Sequence, residues 1–182
     1  MVLMRGVTGP ARTPRTIFSF NTSEDVSRFA TGCDGDKGGL STVHFDYDTR
    51  PEVNISLGKP GSAMFWGDMR LRVQPGMEGK VRGGWAGFRN KVVVFYPIVH
   101  TILKKFSFIQ PRPTVFGYMT EDVSGHDYLA LRLRVAGEPQ THHSYYINIQ
   151  TAGPISTDLW QHRIFFRKGD GTWEDIYVSQ YF

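Results

Sequence analysis

The sequence predicts an all-β fold, a β-sandwich or jelly roll carrying one short helix near its N-terminus. Three observations predict it. Residues 41–48, 144–151 and 157–166 alternate apolar and polar side chains at the two-residue period of a half-buried strand. Aromatics make up 14% of the chain beside 20 glycines, which suits a ring-filled interior crossed by many tight turns. Turn formers recur at the regular spacing of about eight or nine short strands, as two-layer β proteins require. At 182 residues the chain suits a single domain, placed at 17–182 after a basic leader.

The leader, 1–16, holds three arginines, three threonines and no acid. That composition fits either a disordered arm or a mitochondrial targeting segment, although Gly9, Pro10 and Pro14 break the amphipathic helix such signals form. Residues 16–20 read as the opening strand. Thr22 or Ser23 then caps a helix over 24–29, with Glu24 and Asp25 in its first turn and Arg28 in its last, and a glycine ends it. Residues 31–39 have no periodicity and enough turn formers for a tight loop. Residues 41–48 form a strand with Val43, Phe45 and Tyr47 on one face and Thr42, His44 and Asp46 on the other.

A hairpin is expected from 52–57 and 63–73. Its second arm would point Phe65, Gly67, Met69, Leu71 and Val73 inward and Trp66, Asp68, Arg70 and Arg72 outward. A glycine-rich strand follows at 83–89, where glycines mark bulges or close backbone approach. Strands at 128–135, 144–151, 157–166 and 172–178 complete the set. One segment, 92–110, is apolar without a period, contains Pro97 and ends in Lys104 and Lys105 with Phe106 to follow. It is too interrupted to span a bilayer as one helix of roughly 20 residues, and reads as an insertion that is a membrane-surface or partner contact, or an aggregation liability.

A formal charge of +4 comes from scattered arginines and lysines with no dense basic block, which argues against nucleic-acid binding. A lone cysteine, Cys33, excludes an internal disulfide and a Cys-based zinc site, and reads as a small buried or loop residue. His142 and His143, with His126 and His100, lack the spaced third ligand of a metal site. Asp34 and Asp36 beside Gly38 and Gly39 lack the longer ladder of oxygens that calcium takes, and read as a structural turn. Gly83, Gly84 and Gly87 precede no helix that would receive a pyrophosphate, so flavin and nicotinamide are disfavoured and no cofactor is expected. Ser41, His44 and Asp46 carry the letters of a hydrolase triad, yet Ser41 and His44 point to opposite faces of one strand. No enzyme is predicted.

What the chain displays instead is amide, imidazole, guanidinium and indole. Asn148, Gln150, Gln161, His162 and Arg163 lie on the two most regular strands, Gln161 and Arg163 on one face and His162 on the other. The simplest reading of His162 is a buried ring with a satisfied hydrogen bond. Trp66, Trp85 and Trp160 are the candidates for a binding surface, since indoles anchor protein interfaces and stack on sugars, though core packing is the commoner fate of each.

Seven segments occur in one order: 18–29 with its Ser-Glu-Asp start; Gly32, Cys33 and Asp34 with 38–42; Phe65, Trp66 and Gly67; Gly84, Trp85, Ala86, Gly87, Phe88 and Arg89; 128–132; 146–151 with Asn148 and Gln150; and 157–163 with Asp158, Trp160 and His162. In them the chain resembles the family of complex I intermediate-associated protein 30, over roughly 17–177. The resemblance implies a galactose-binding-like β-sandwich without recognised catalysis. It further implies a chaperone for assembly of mitochondrial respiratory complex I, in the matrix against the inner membrane, whose partners are membrane-arm intermediates and other assembly factors. Membrane association would be peripheral at most, and the cytoplasm is the alternative location, since the domain also occurs outside mitochondria. The partner-binding candidates are then Trp66, Trp85, Arg89, Asn148, Gln150, Asp158, Trp160, Gln161, His162 and Arg163. A carbohydrate-binding module is the alternative function.

Two departures stand against the family pattern. Residues 92–110 interrupt a loop that otherwise runs straight into Arg112, Pro113 and Thr114, and the pattern continues beyond Tyr177 into sandwich segments this chain lacks. Imperfect splicing or gene prediction explains both, and a mature transcript encoding 92–110 would remove that explanation.

Overall fold

In the computed structural model, residues 2–4, 13–91, 113–114, 117–118, 126–150 and 159–179 are described. Their elements, in chain order, are β1 Val2–Met4, β2 Arg15–Thr16, α1 Ser23–Ser27, β3 Phe29–Cys33, β4 His44–Asp48, α2 Pro51–Asn54, β5 Ser62–Trp66, β6 Ala86–Asn90, β7 Pro113–Thr114, β8 Gly117–Tyr118, β9 Tyr128–Leu133, β10 Tyr146–Gln150, β11 Leu159–Arg163 and β12 Glu174–Ser179. The protein is all-β. Among the described residues the ladders are small, one of four strands and four of two, and every pairing is antiparallel. Two compact units emerge, Met1–Ser19 with Pro113–Phe182, and Phe20–Arg112. Among the described residues no helix is long and apolar enough to cross a membrane.

In the unit that includes both termini, the ladder runs β12-β9-β1-β2 and β10 pairs with β11. Alternation along β9 and β12 sends Leu129, Leu131 and Val178 inward, where with Ile164 they form the buried core. Ile147 and Ile149 of β10 pack against that core, along with Ile17, Tyr145 and Phe166. The β10–β11 hairpin thus covers the inner face of the larger ladder. On that ladder's outer face Arg132 and Asp175, directly opposite each other, make a two-pronged ion pair at 2.7 and 2.6 Å. Glu174 is buried at the start of β12 and accepts the backbone N–H groups of Arg167 and Lys168, closing the turn before it.

In the Phe20–Arg112 unit, β3 pairs with β6 and β4 with β5. The two ladders meet through phenylalanines. Phe45 of β4 stacks on Phe88 of β6 at 4.2 Å, Phe65 of β5 lies 5.1 Å from Phe88, and Phe29 of β3 reaches Phe20, Phe45 and Phe88 at 5.0, 5.6 and 5.8 Å. Tilted and offset rings of this kind add to plain burial.

Several sequence expectations need correction. Residues 52–57 are helical: Pro51 sits at the first helical position, Asn54 Nδ2 donates to the carbonyls of Asp48 and Arg50, and Gly58 closes the turn at φ 66°. Proline just inside and glycine just past a helix is a sequence signal, and here it outweighs the short apolar run. Among the described residues there are therefore two short α-helices, Ser23–Ser27 and Pro51–Asn54, where one was expected. The strand expected over 63–73 ends at Trp66, and Leu71 is 85% exposed instead of inward. There the Ser41 and Thr42 side chains take the backbone N–H groups of Arg70 and Asp68, and a Cβ at Gly67 would collide with the Thr42 carbonyl. The expected opening strand over 16–20 is only Arg15–Thr16.

Thr22 does cap α1, accepting from Asp25 N at 3.1 Å, but the helix stops at Ser27 with no glycine and Arg28 caps it. The loop expected over 31–39 contributes its first three residues to β3, and only Asp34–Lys37 turns. Strand β6 begins at Ala86, because Gly84 adopts φ 85°, which a strand residue cannot. The atypical stretch 92–110 lies outside the described residues.

Candidate functional site

Each unit brings together a different set of exposed side chains. On β10–β11, Asn148 stands opposite Gln161 and Tyr146 opposite Arg163, so these four share one face. All four are exposed. Gln161 Nε2 donates to Asn148 Oδ1 at 3.1 Å, and Arg163 donates through Nε and Nη2 to the Tyr146 hydroxyl at 3.1 and 2.5 Å with its guanidinium carbon 5.2 Å from the ring centre. Cross-strand partners held this way lose less freedom when a third group arrives. Gln150 extends the row, and its opposite residue is Leu159.

His162 and Trp160 project to the other face, beside Ile147 and Ile149. His162 is half-buried there instead of buried as expected, and Trp160 stays 44% exposed despite sharing the core-facing side. Asp158 lies outside the described residues. Tyr146 was missed by the sequence reading as a site residue; its place opposite Arg163 depends on a register that alternation alone leaves free.

In the Phe20–Arg112 unit, Trp66 is half-exposed on the outer face of β4–β5. It stacks on His44 at 4.1 Å and 16° and donates Nε1–H to Asp46 Oδ2 at 2.7 Å. His44 is directly opposite Trp66 and Asp46 is two residues along, so the register assembles the trio. Trp85 is 42% exposed, but its main chain is structural. Arg89 is exposed on β6, opposite Ala30.

That main chain belongs to a buried clasp around Asp34, whose side chain has no exposed surface. Asp34 Oδ1 accepts Ser41 N–H at 2.9 Å, and Oδ2 accepts Ser41 Oγ–H at 2.9 Å, Trp85 N–H at 3.3 Å and a short bond from Gly84 N–H. Burial alone raises the carboxyl, but the four donors from Ser41, Gly84 and Trp85 outweigh it and hold its pKa below the ordinary value. Gly39 has no room for a side chain because its Cβ would meet the Asp34 carboxylate. Asp36 meanwhile accepts Cys33 N–H at 3.0 Å. Asp36 thus accepts a backbone donor, and Asp34 accepts three backbone donors and the Ser41 hydroxyl.

The triad letters do not assemble: the buried Ser41 turns to Asp34, while His44 and Asp46 face Trp66. The Cys33 thiol is buried and reaches the Ser41 carbonyl at 3.2 Å. Among the described residues no group of three His, Cys, Asp or Glu side chains is placed to hold a metal. His142 is buried with Nε2 3.2 Å from the Gly137 carbonyl, and His143 is exposed. The exposed side chains gathered on these two faces are amide, guanidinium, phenol and indole.

Comparison with known proteins bears on the use of those side chains. The family model described as complex I intermediate-associated protein 30 matches residues 18–182. The chain belongs to that family. A relative from Neurospora crassa, "Complex I intermediate-associated protein 30, mitochondrial", is 31% identical over 189 residues, an alignment covering 97% of this chain and 58% of that protein. The chain thus spans less than two-thirds of the length of this relative.

Proposed function

We propose that this member of the complex I intermediate-associated protein 30 family is a non-catalytic assembly factor for mitochondrial respiratory complex I, working through protein–protein contacts. The family match over 18–182 is the observation that carries the reading. The mitochondrial name of the Neurospora crassa relative supports a mitochondrial site of action, in the matrix against the inner membrane. Its partners are then membrane-arm intermediates of the complex and fellow assembly factors, and the strands are those of a galactose-binding-like jelly roll. The contact surface is the exposed row of Tyr146, Asn148, Gln161 and Arg163, pre-ordered across two strands. Polar, rigid rows of this sort suit an interface that must form and release.

The test is complementation of cells that lack the protein, with wild type or the Asn148→Ala/Gln161→Ala/Arg163→Ala variant, read on native gels of complex I. The expected result is accumulation of incomplete complex in both the deletion and the variant, at unchanged variant abundance. Normal complex in the deletion would overturn the function, and normal complex in the variant would overturn the surface. A second reading, a carbohydrate-binding module, rests on half-exposed Trp66 with His44 bracing one face of its indole. Saturable glycan binding abolished by Trp66→Ala would favour it.

A further inference from the structure

A groove of about 470 Å³ opens in the Phe20–Arg112 unit beside β4. Its wall consists of five successive residues, 43–47. Successive strand residues point to opposite faces, so a groove that touches all five runs along the edge of the strand and not over either face. The opposite edge of β4 is the one paired with β5. In an antiparallel pair half of a strand's N–H and C=O groups turn away from the partner, and among the described residues β4 pairs with no strand on that side.

The other surfaces of the groove define what enters. From β3 only Phe29 and Thr31 contribute, two residues apart and hence on one face, so β3 supplies a floor. Val26 and Ser27 of α1 supply the far wall. A strand laid beside β4 would set alternate side chains down on Phe29 and Val26 and the others up beside His44 and Asp46. The Asp46 carboxylate takes the Trp66 indole N–H, and among the described residues no cation is paired with it. β4 reads His-Phe-Asp-Tyr-Asp, without the lysine, proline or bulge that blunts many natural edges, and its charges are the exposed Asp46 and the buried Asp48 that Arg50 pairs.

We infer that the edge of β4 is a docking site for one extended segment of a partner protein, added as a strand, with apolar side chains alternating with basic ones set beside Asp46. Main-chain groups facing the groove call for a main-chain partner, and the Asp46 carboxylate on the β4 side favours a basic side chain next to it, while the Lys91 ammonium, donating to the Ser27 carbonyl at 2.8 Å, stands at the far wall. This surface is separate from the β10–β11 row.

The probe is a capped six-residue peptide alternating valine and lysine, titrated into the isotope-labelled full chain while backbone amide resonances are followed. Two further peptides accompany it, one with glutamate for lysine and one N-methylated at alternate amides to remove its donors. The inference expects saturable shifts concentrated on residues 43–47, a change in Trp66 fluorescence, and binding about tenfold weaker for each altered peptide. Thr31→Arg, which fills the floor, should abolish the shifts, and Asp46→Asn should weaken the lysine peptide several-fold, both with unchanged circular dichroism. Absence of shifts at 43–47 would overturn the inference. So would equal binding of the N-methylated peptide, or shifts at 43–47 that grow with protein concentration alone, which would assign the edge to a second copy of the chain.

Discussion

Replacing Asp34 by asparagine tests the buried clasp directly. The side chain accepts four hydrogen bonds, three of them on Oδ2, so an asparagine keeps most of them only by setting its oxygen there and its NH₂ against Ser41 N–H. One charge-assisted bond is lost, at about 1.5–3 kcal/mol, and two buried donors are left facing each other. We expect Asp34→Asn to cost about 3 kcal/mol, which for a chain of this size lowers Tm by roughly 6–12 °C. Asp34→Ala, which orphans all four donors, should cost about 4–5 kcal/mol. The assay is thermal and urea unfolding of the full chain followed by circular dichroism.

The pH dependence carries the same signature. Asp34 is held below its ordinary pKa, so its contribution is complete above the unfolded-state value, about 4, and fades as pH falls through the lower folded-state value. Wild type should therefore lose stability on acidification more steeply than Asp34→Asn, and the two should converge. A variant that melts within 2 °C of wild type (about 1 kcal/mol or less), or whose acid limb is equally steep, would refute the account. Ser41→Ala removes a hydroxyl that donates to Asp34 and accepts from Arg70 N, and combined with Asp34→Asn its effect should fall short of additive.

Three other outcomes follow from the packing. Phe45→Ala removes the ring shared by Phe20, Phe29 and Phe88, and should cost about 2–3 kcal/mol in urea unfolding, below a fully buried phenylalanine because the cluster is half-exposed. Glu174→Gln should cost about 1–2 kcal/mol, since Oε1 can still accept from both Arg167 and Lys168 but loses its charge, and the second oxygen that Arg167 N–H also reaches becomes an NH₂. Arg132→Ala should change stability by less than about 1 kcal/mol despite ideal two-pronged geometry, because the pair is largely in solvent, and the same measurement checks it.

How far the fold was legible depended on what each segment's period encoded. β4, β10 and β11 announced themselves because one face is packed and the other wet, and alternation records that difference directly. Residues 52–57 misled because six residues with a few apolar side chains suit a turn of helix as well as a strand; the brackets Pro51 and Gly58 were the better evidence. Residues 67–73 misled for a different reason. Their alternation continues past Trp66, yet their backbone donors are taken by the Ser41 and Thr42 side chains from 26 or more positions away, a competitor no local pattern shows.

The same division runs through the candidate sites. The sequence by itself determined the all-β class, the lone thiol, the scattered charge and the chemical types on display, because composition and short-range period are properties of neighbours along the chain. Only tertiary structure decided that Arg163 would rest on Tyr146, that Asp46 would hold Trp66, and that Asp34 would gather Ser41, Gly84 and Trp85 from as far as 51 residues away. Those choices turn on strand register and on which backbone donors lack a closer acceptor, and both are settled by packing between segments that are remote in the chain.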